Sequence, residues 1–281
     1  MIKTNKNIFV SLSLFILIAL TLGSCSVERR LATEFFKNRH NTTVMVIPAD
    51  FVYKRNLKKY EVADVGQMED ATLDSVLYTR SIFMQNVSDS IFLETYMNAL
   101  IKNLRNKGLK VYLEPDADIF LKDTTNKYIV NVAQLMLEEN VELLFDPDYD
   151  VEYSYIGDFY LNKVSLSSWF EISGVNEEAP KTAVAFAEMT MRDAFDGRLR
   201  FFPFTGHVMY SYSVDSIQVD DLYTMAEAAG TEYASYIFDY LLNRYVDRNV
   251  PTYEPRSIYF RYDFNTRMLK QAYDERFEFI E

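Results

Sequence analysis

The side chains best suited to chemistry are few in this sequence and poorly spaced for it. Histidine occurs twice, at His40 and His207. Neither has a second ligand at metal-binding spacing, and there is no His-x-x-x-His pair. His207 stands beside a turn signal and is expected to be a turn-edge residue. In Asp146-Pro147-Asp148-Tyr149-Asp150 the acids alternate, which could aim carboxylates at one calcium ion. A calcium loop beginning there needs glycine at its sixth position and a bidentate glutamate at its twelfth. The chain has Val151 and Gly157 at those places, so a solvated loop is the expectation. With 41 acids, a two-carboxylate glycosidase site remains open, but no pair is singled out. Glu138, Glu139 and Glu142 read as a strand end, with the Glu138-Glu139 pair marking where that strand reaches water. There is no Gly-x-Ser-x-Gly elbow, phosphate-cradling glycine loop or dinucleotide fingerprint among only 8 glycines. No catalytic residue, metal centre or cofactor is expected.

The residue whose chemistry is legible is Cys25, the only cysteine. Lys3 and Lys6 open the chain without an acid. Ile8 to Leu22 is apolar except for Ser11, Ser13 and Thr21, and is followed by Leu22-Gly23-Ser24-Cys25. A basic start, an apolar run and small residues at a cut make up a secretion signal. The run is short for a membrane span, which needs about 20 apolar residues. Leu22-Gly23-Ser24-Cys25 resembles a lipobox, the cleavage site of bacterial lipoproteins. The resemblance covers the first 25 residues. It implies that residues 1–24 are removed and that Cys25 is acylated, with palmitate-type chains, as the mature N-terminus. Two or three chains hold a soluble domain at a membrane where one would be marginal. Ser26, where an aspartate would signal inner-membrane retention, implies the outer membrane. Ser26 to Arg30 lacks the acidic run that sends some Bacteroidota lipoproteins to the cell surface, so the periplasmic face is expected.

Net charge is −12, falling to about −14 once Lys3 and Lys6 leave with the signal. Such a surface repels phosphate backbones, so nucleic acid is not an expected partner. With Cys25 acylated no thiol remains, and packing alone must hold this exported chain together. Aromatic residues are in excess, with 21 Tyr and 21 Phe beside the single Trp169. Tyrosine packs readily at the edge of a core and also supplies contact surface for partners.

The elements follow from hydrophobic period. Residues 25–42 read as a lipidated tether whose basic residues suit a bilayer surface, with a short helix at Leu31 to Phe36. Val44 to Ala49 suits a buried strand, Phe51 to Asp70 loop or edge structure, and Leu73 to Met84 a helix. Ile91, Phe92, Tyr96, Ala99, Leu100 and Leu104 predict a helix over Ser90 to Lys107, capped by Asp89 or Ser90 and ended at Gly108. Leu109 to Leu113 leaves as a strand. Lys127 to Val141 reads as a strand with Tyr128, Val130 and Val132 on one face and Ile129, Asn131, Ala133 and Leu135 on the other. Val164 to Ile172, Thr182 to Met191, Leu199 to Phe202 and His207 to Val214 form a meander punctuated by Gly174, Pro180, Asp196-Gly197 and Gly206. Asp220, as cap, begins a second long helix to Val246. Its apolar face includes Leu222, Met225, Ala229, Tyr233 and Tyr240. Pro251 and Pro255 end the domain.

Together these predict one α+β domain over residues 43–250, with a mixed, largely antiparallel sheet covered by two main helices. Residues 251–281 form an aromatic and charged extension. The order of elements resembles the lipoproteins of curli-secretion channels and the N-terminal domain of the Tol-system propeller protein. The whole is similar in style to Tyr- and Phe-rich acidic lipoproteins of the Bacteroidota. The expected role is a non-enzymatic accessory or scaffold in the envelope, binding another envelope protein. The alternative is a glycan-binding or glycan-hydrolysing lipoprotein with a cleft lined by Tyr, Trp169 and acids.

Overall fold

A computed structural model of the chain describes residues 27–59, 69–149, 154–175, 182–250, 258–273 and 277–280. The signal, Leu22, Gly23, Ser24 and Cys25 lie outside the described residues, as do Asp150, Pro180, Pro251 and Pro255. The fold is α+β. Among the described residues there are five helices: α1 (Val27–Asn38), α2 (Asp70–Thr79), α3 (Asp89–Asn106), α4 (Ala117–Lys122) and α5 (Val219–Asn249). The strands are β1 (Thr42–Ile47), β2 (Val52–Asn56), β3 (Lys110–Leu113), β4 (Asn126–Tyr149), β5 (Ser154–Gly174), β6 (Thr182–Arg192), β7 (Ala194–Phe202), β8 (His207–Asp215), β9 (Tyr259–Asp263), β10 (Met268–Ala272) and β11 (Glu278–Ile280). None of the described helices is long and apolar enough to cross a membrane.

The chain divides into two compact units: His40–Ile237 with Arg276–Glu281, and the residues up to Arg39 with Phe238–Glu275. The larger unit holds the main sheet, in the order β11-β6-β5-β4-β1-β3. β4, β5, β6 and β11 pair antiparallel in turn, while β1 pairs parallel with both β3 and β4. The long β4 takes two parallel partners in series, β1 along Asn126 to Asn131 and β2 along Leu135 to Glu139. Of the four runs expected to form one meander, β5 and β6 pair in this sheet, beside β4. β7 and β8 leave it to form a separate ribbon.

One face of the sheet is the core. Val44, Val46, Tyr128, Val130, Val132, Leu166, Phe170 and Ile172 are buried on it. The register slips between Val132 and Gln134. A bulge adds one residue and exchanges the faces beyond it. Leu135 and Leu137 are therefore buried with Val132, although strict alternation from Val130 places Leu135 on the opposite face.

The two main helices are those expected. In α3, Phe92, Tyr96, Ala99, Leu100 and Leu104 are buried, each worth about 1.5–3 kcal/mol for a large side chain. Its N-cap is Ser88 rather than Asp89 or Ser90. Ser88 makes no side-chain cap bond, because its Oγ lies 3.0 Å from that of Ser90. Gly108, at φ 90°, ends the helix in the left-handed conformation as expected. α5 begins at Val219, so Asp220 sits inside the first turn. The neighbouring Asp221 does the capping, with its carboxylate accepting from the Gln218 amide at 2.7 Å. Gly230 lets α5 approach α3: a Cβ there would lie 3.0 Å from both Ala99 Cβ and the Leu100 amide, and closer still to the Tyr96 carbonyl. The Tyr233 ring stands edge-on to Tyr96 and Phe170, so this tyrosine of α5 packs between α3 and the sheet.

The smaller unit contains α1, the C-terminal part of α5 and the β9–β10 hairpin. The segment read as a tether holds α1, whose Leu31, Ala32 and Phe35 are buried. Phe35 meets Phe238 at 5.6 Å, and Phe36 stacks on Tyr262 at 3.8 Å. Asn243 serves as a one-residue strand, donating to the Phe260 carbonyl at 2.7 Å and accepting from its amide at 2.8 Å. Part of the expected C-terminal extension is also built in, because β11 adds an antiparallel strand beside β6 in the larger unit.

Candidate interaction surfaces

A buried polar knot lies where β4 and β5 leave the main sheet. Glu139 is fully buried, contrary to the expected strand end in water. The bulge turns it onto the core face, where the segment after α2 closes over it. Lys58 Nζ donates to Glu139 at 2.8 Å and to Asn162 Oδ1 at 2.7 Å. Ser81 Oγ donates at 2.5 Å, and the amides of Ile82 and Phe83 donate at 3.1 and 3.0 Å. Burial alone would raise the Glu139 pKa, but the bonds from Lys58, Ser81 and the two amides outweigh it and hold the carboxyl below the usual range. Asp193, also buried, accepts from the amide and side chain of Asn162 and from the Ile217 amide, at 2.8–2.9 Å. Every acid of this knot is saturated by donors, which suits a structural clasp. Glu138 next door is half-buried and faces Arg55 at 3.5 Å.

Beyond this clasp, among the described residues, β4 and β5 pair only with each other. β2 ends its register at Glu139 and β6 begins its own at Lys163. The two strands run on as a ribbon, with pairing that extends to Tyr149↔Ser154. The loop expected around Asp146 is therefore strand: Asp146 pairs with Gly157 and accepts a hydrogen bond from the Tyr210 hydroxyl. Tyr155, Gly157, Phe159 and Leu161 share the inner face. Tyr155 stacks on Tyr210 at 3.8 Å, and Phe159 meets Phe195 at 4.4 Å and Tyr212 at 5.0 Å. These partners belong to the β7–β8 ribbon, whose alternation puts Phe195, Leu199, Tyr210 and Tyr212 on one side and Asp196, Arg198, Arg200 and Ser211 on the other. Gly197, expected in a turn, is mid-strand opposite Tyr212. Its missing Cβ makes room for the Tyr210 ring. Gly157 does the same for Tyr155, whose Cε1 would lie 2.6 Å from an added Cβ.

Among the described residues, the outer face of the β4–β5 ribbon has no such cover. Leu143, Phe145, Ile156 and Tyr160 are 54%, 57%, 60% and 73% exposed, and Leu143 pairs directly with Tyr160. Single exposed apolar residues are ordinary, whereas a contiguous set on one ribbon face marks an interaction surface. Sequence reasoning passed over these residues, although the alternation from Val141 to Asp148 was the available signal.

A second open surface lies on the main sheet, on the face opposite the core. Trp169 is 42% exposed and paired directly with Phe186, the rings 6.1 Å apart. Gln134 lies on the other side of Trp169, and Asn131 donates to Glu171 at 3.1 Å one step along. Phe186, Gln134, Asn131 and Glu171 thus surround Trp169 on this face among the described residues. A shallow cleft of about 530 Å³ does lie at the foot of β7, lined by Asp146, Arg192, Asp193 and Phe195 among others. Its polar groups are mostly engaged. Asp146 holds Tyr210, Asp193 holds Asn162 and Ile217, and Arg192 pairs with Glu142.

Neither histidine belongs to a cluster of potential metal ligands among the described residues. His40 and His207 are exposed, and among the described residues no group of three His, Cys, Asp or Glu converges where a metal could sit. No protein-family model matches the sequence, and no curated protein matches it.

Proposed function

We propose that this chain is a lipid-anchored envelope lipoprotein that works without catalysis, docking another envelope protein through the β4–β5 ribbon. The observation that carries the reading is the uncovered outer face formed by Leu143, Phe145, Ile156 and Tyr160. A rigid ribbon clasped at its base by Lys58 and Glu139 presents these side chains at low entropic cost, which favours protein recognition. The lipobox supplies the anchor at Cys25, expected in the outer membrane and facing the periplasm.

A photo-crosslinking residue in place of Tyr160, in the anchored protein in its native envelope, tests the reading. One protein should be captured, and capture should fail when Leu143 and Phe145 are changed to Ser or when Cys25→Ala removes the anchor. Capture that survives Leu143→Ser with Phe145→Ser would place the contact elsewhere.

A second reading, glycan binding, is favoured by Trp169 beside Phe186 with Gln134, Asn131 and Glu171 around them. Aromatic rings stack on the C–H faces of sugars, and amides and carboxylates bond their hydroxyls. Trp169 is the only tryptophan, so its emission reports occupancy directly. Titration with envelope glycans should shift it, and a flat response would remove this reading.

A further inference from the structure

The β7–β8 ribbon ends in Phe201-Phe202-Pro203-Phe204. Phe201, Phe202 and Phe204 are 61%, 45% and 101% exposed, and Met209 is 59% exposed. The turn beneath them is closed. The Gly206 amide donates to the Phe202 carbonyl at 2.9 Å, and Gly206 takes the left-handed φ of 68° that such a turn requires. The rings are therefore held outward at a built tip. Strands of nine residues, at about 3.3 Å each, carry that tip roughly 25 Å from the ribbon's foot.

The charge of the tip is opposite to the net charge of the chain. From Gly197 to Val214 there are two arginines, Arg198 and Arg200, and no acid, within a protein of net charge −12. Both arginines are exposed and have no carboxylate partner among the described residues. The register places them on one face with Phe202, His207 and Met209: Arg200 pairs with Met209, and Phe202 with His207. Aromatic and thioether side chains at the end, with guanidinium groups just behind, match the layering of a bilayer surface, where acyl chains lie beneath anionic phosphates. Such a surface repels an acidic protein as a whole but attracts a local basic, acid-free segment such as this one.

We infer that the β7–β8 tip inserts into an anionic bilayer, with Phe201, Phe202 and Phe204 entering the acyl boundary while Arg198 and Arg200 pair with lipid phosphates. The tip forms a second membrane contact, separate from the lipid on Cys25 and from the ribbon face that docks protein.

Cys25 is the only cysteine and is acylated in the anchored form, so Thr205→Cys introduces a single labelling site. The full-length protein carrying an environment-sensitive dye there is reconstituted in vesicles of phosphatidylethanolamine and phosphatidylglycerol. The dye should shift to the blue and be quenched by bromine-labelled acyl chains. Both signals should be lost with Phe201→Ser and Phe204→Ser together, and weakened by Arg198→Gln with Arg200→Gln or by salt. Far-UV circular dichroism and Trp169 emission check that the variants remain folded. Flotation with the vesicles reports the anchor and quenching reports the tip, so failure of either is read separately. A floated protein whose dye stays in water overturns the inference. A dye shielded in native envelope fragments but not in vesicles of their extracted lipid also overturns it, and assigns the tip to a protein pocket.

Discussion

Glu139 accepts three neutral donors and one ammonium in a site without water-facing surface. Removing one partner of a buried pair leaves the other charge uncompensated, at a cost of about 3–5 kcal/mol. Lys58→Met should therefore lower unfolding stability by about that amount, measured by urea titration. The pair also sets an acid limit. The folded pKa of Glu139 lies below its unfolded value of about 4.3, so its contribution is complete above that pH and is lost as pH falls through the folded value. Wild-type stability should decline in that acid range, and the decline should shrink in Lys58→Met. Tyr233 is the opposite case. Burial pushes its phenol well above the ordinary range, and its hydroxyl has no hydrogen-bond partner among the described residues. Tyr233→Phe deletes a buried unpaired group and keeps the ring contacts with Tyr96 and Phe170. Its stability should be unchanged or higher by up to about 1 kcal/mol, and a loss of more than that would show that the hydroxyl is bonded after all.

Among the elements, α5 shows how packing overrides local preference. Replacing a mid-helix glycine with alanine ordinarily gains about 1 kcal/mol. At Gly230 the added Cβ meets the backbone of α3, which cannot yield as a side-chain end would. Gly230→Ala should therefore lose about 1–3 kcal/mol, and a rise in melting temperature would show that the two helices can separate freely. The helices themselves were readable because a 3.6-residue period survives any tertiary context that buries one face. β4 was readable only as far as its bulge. Nothing in Val132-Ala133-Gln134 announces the extra residue, and every face assignment beyond it, Glu139 included, depends on that one slip. The Asp196-Gly197 pair carries turn chemistry, yet it lies inside β7 because the stacked rings of Tyr155 and Tyr210 need the space.

For the whole molecule, the proposed anchor makes a prediction separable from those of the exposed surfaces. Cys25→Ser should move the protein from the membrane to the soluble fraction without changing its melting curve, since Cys25 precedes every described element. A shifted melting curve would tie the N-terminus to the fold.

By itself the sequence determined the two main helices, most strands and the α+β class, and it is the sole ground for the proposed export signal. These depend on local order or on a hydrophobic period, which a linear reading measures directly. Only the tertiary structure decided which acids are buried, that β4 and β5 continue as a ribbon past the sheet, and that Leu143, Phe145, Ile156 and Tyr160 are left uncovered. In a chain this rich in Tyr and Phe, an aromatic residue in a core and one facing solvent have the same local sequence. Burial is set by which other element arrives on that face, and that is a property of pairing between residues distant in the chain.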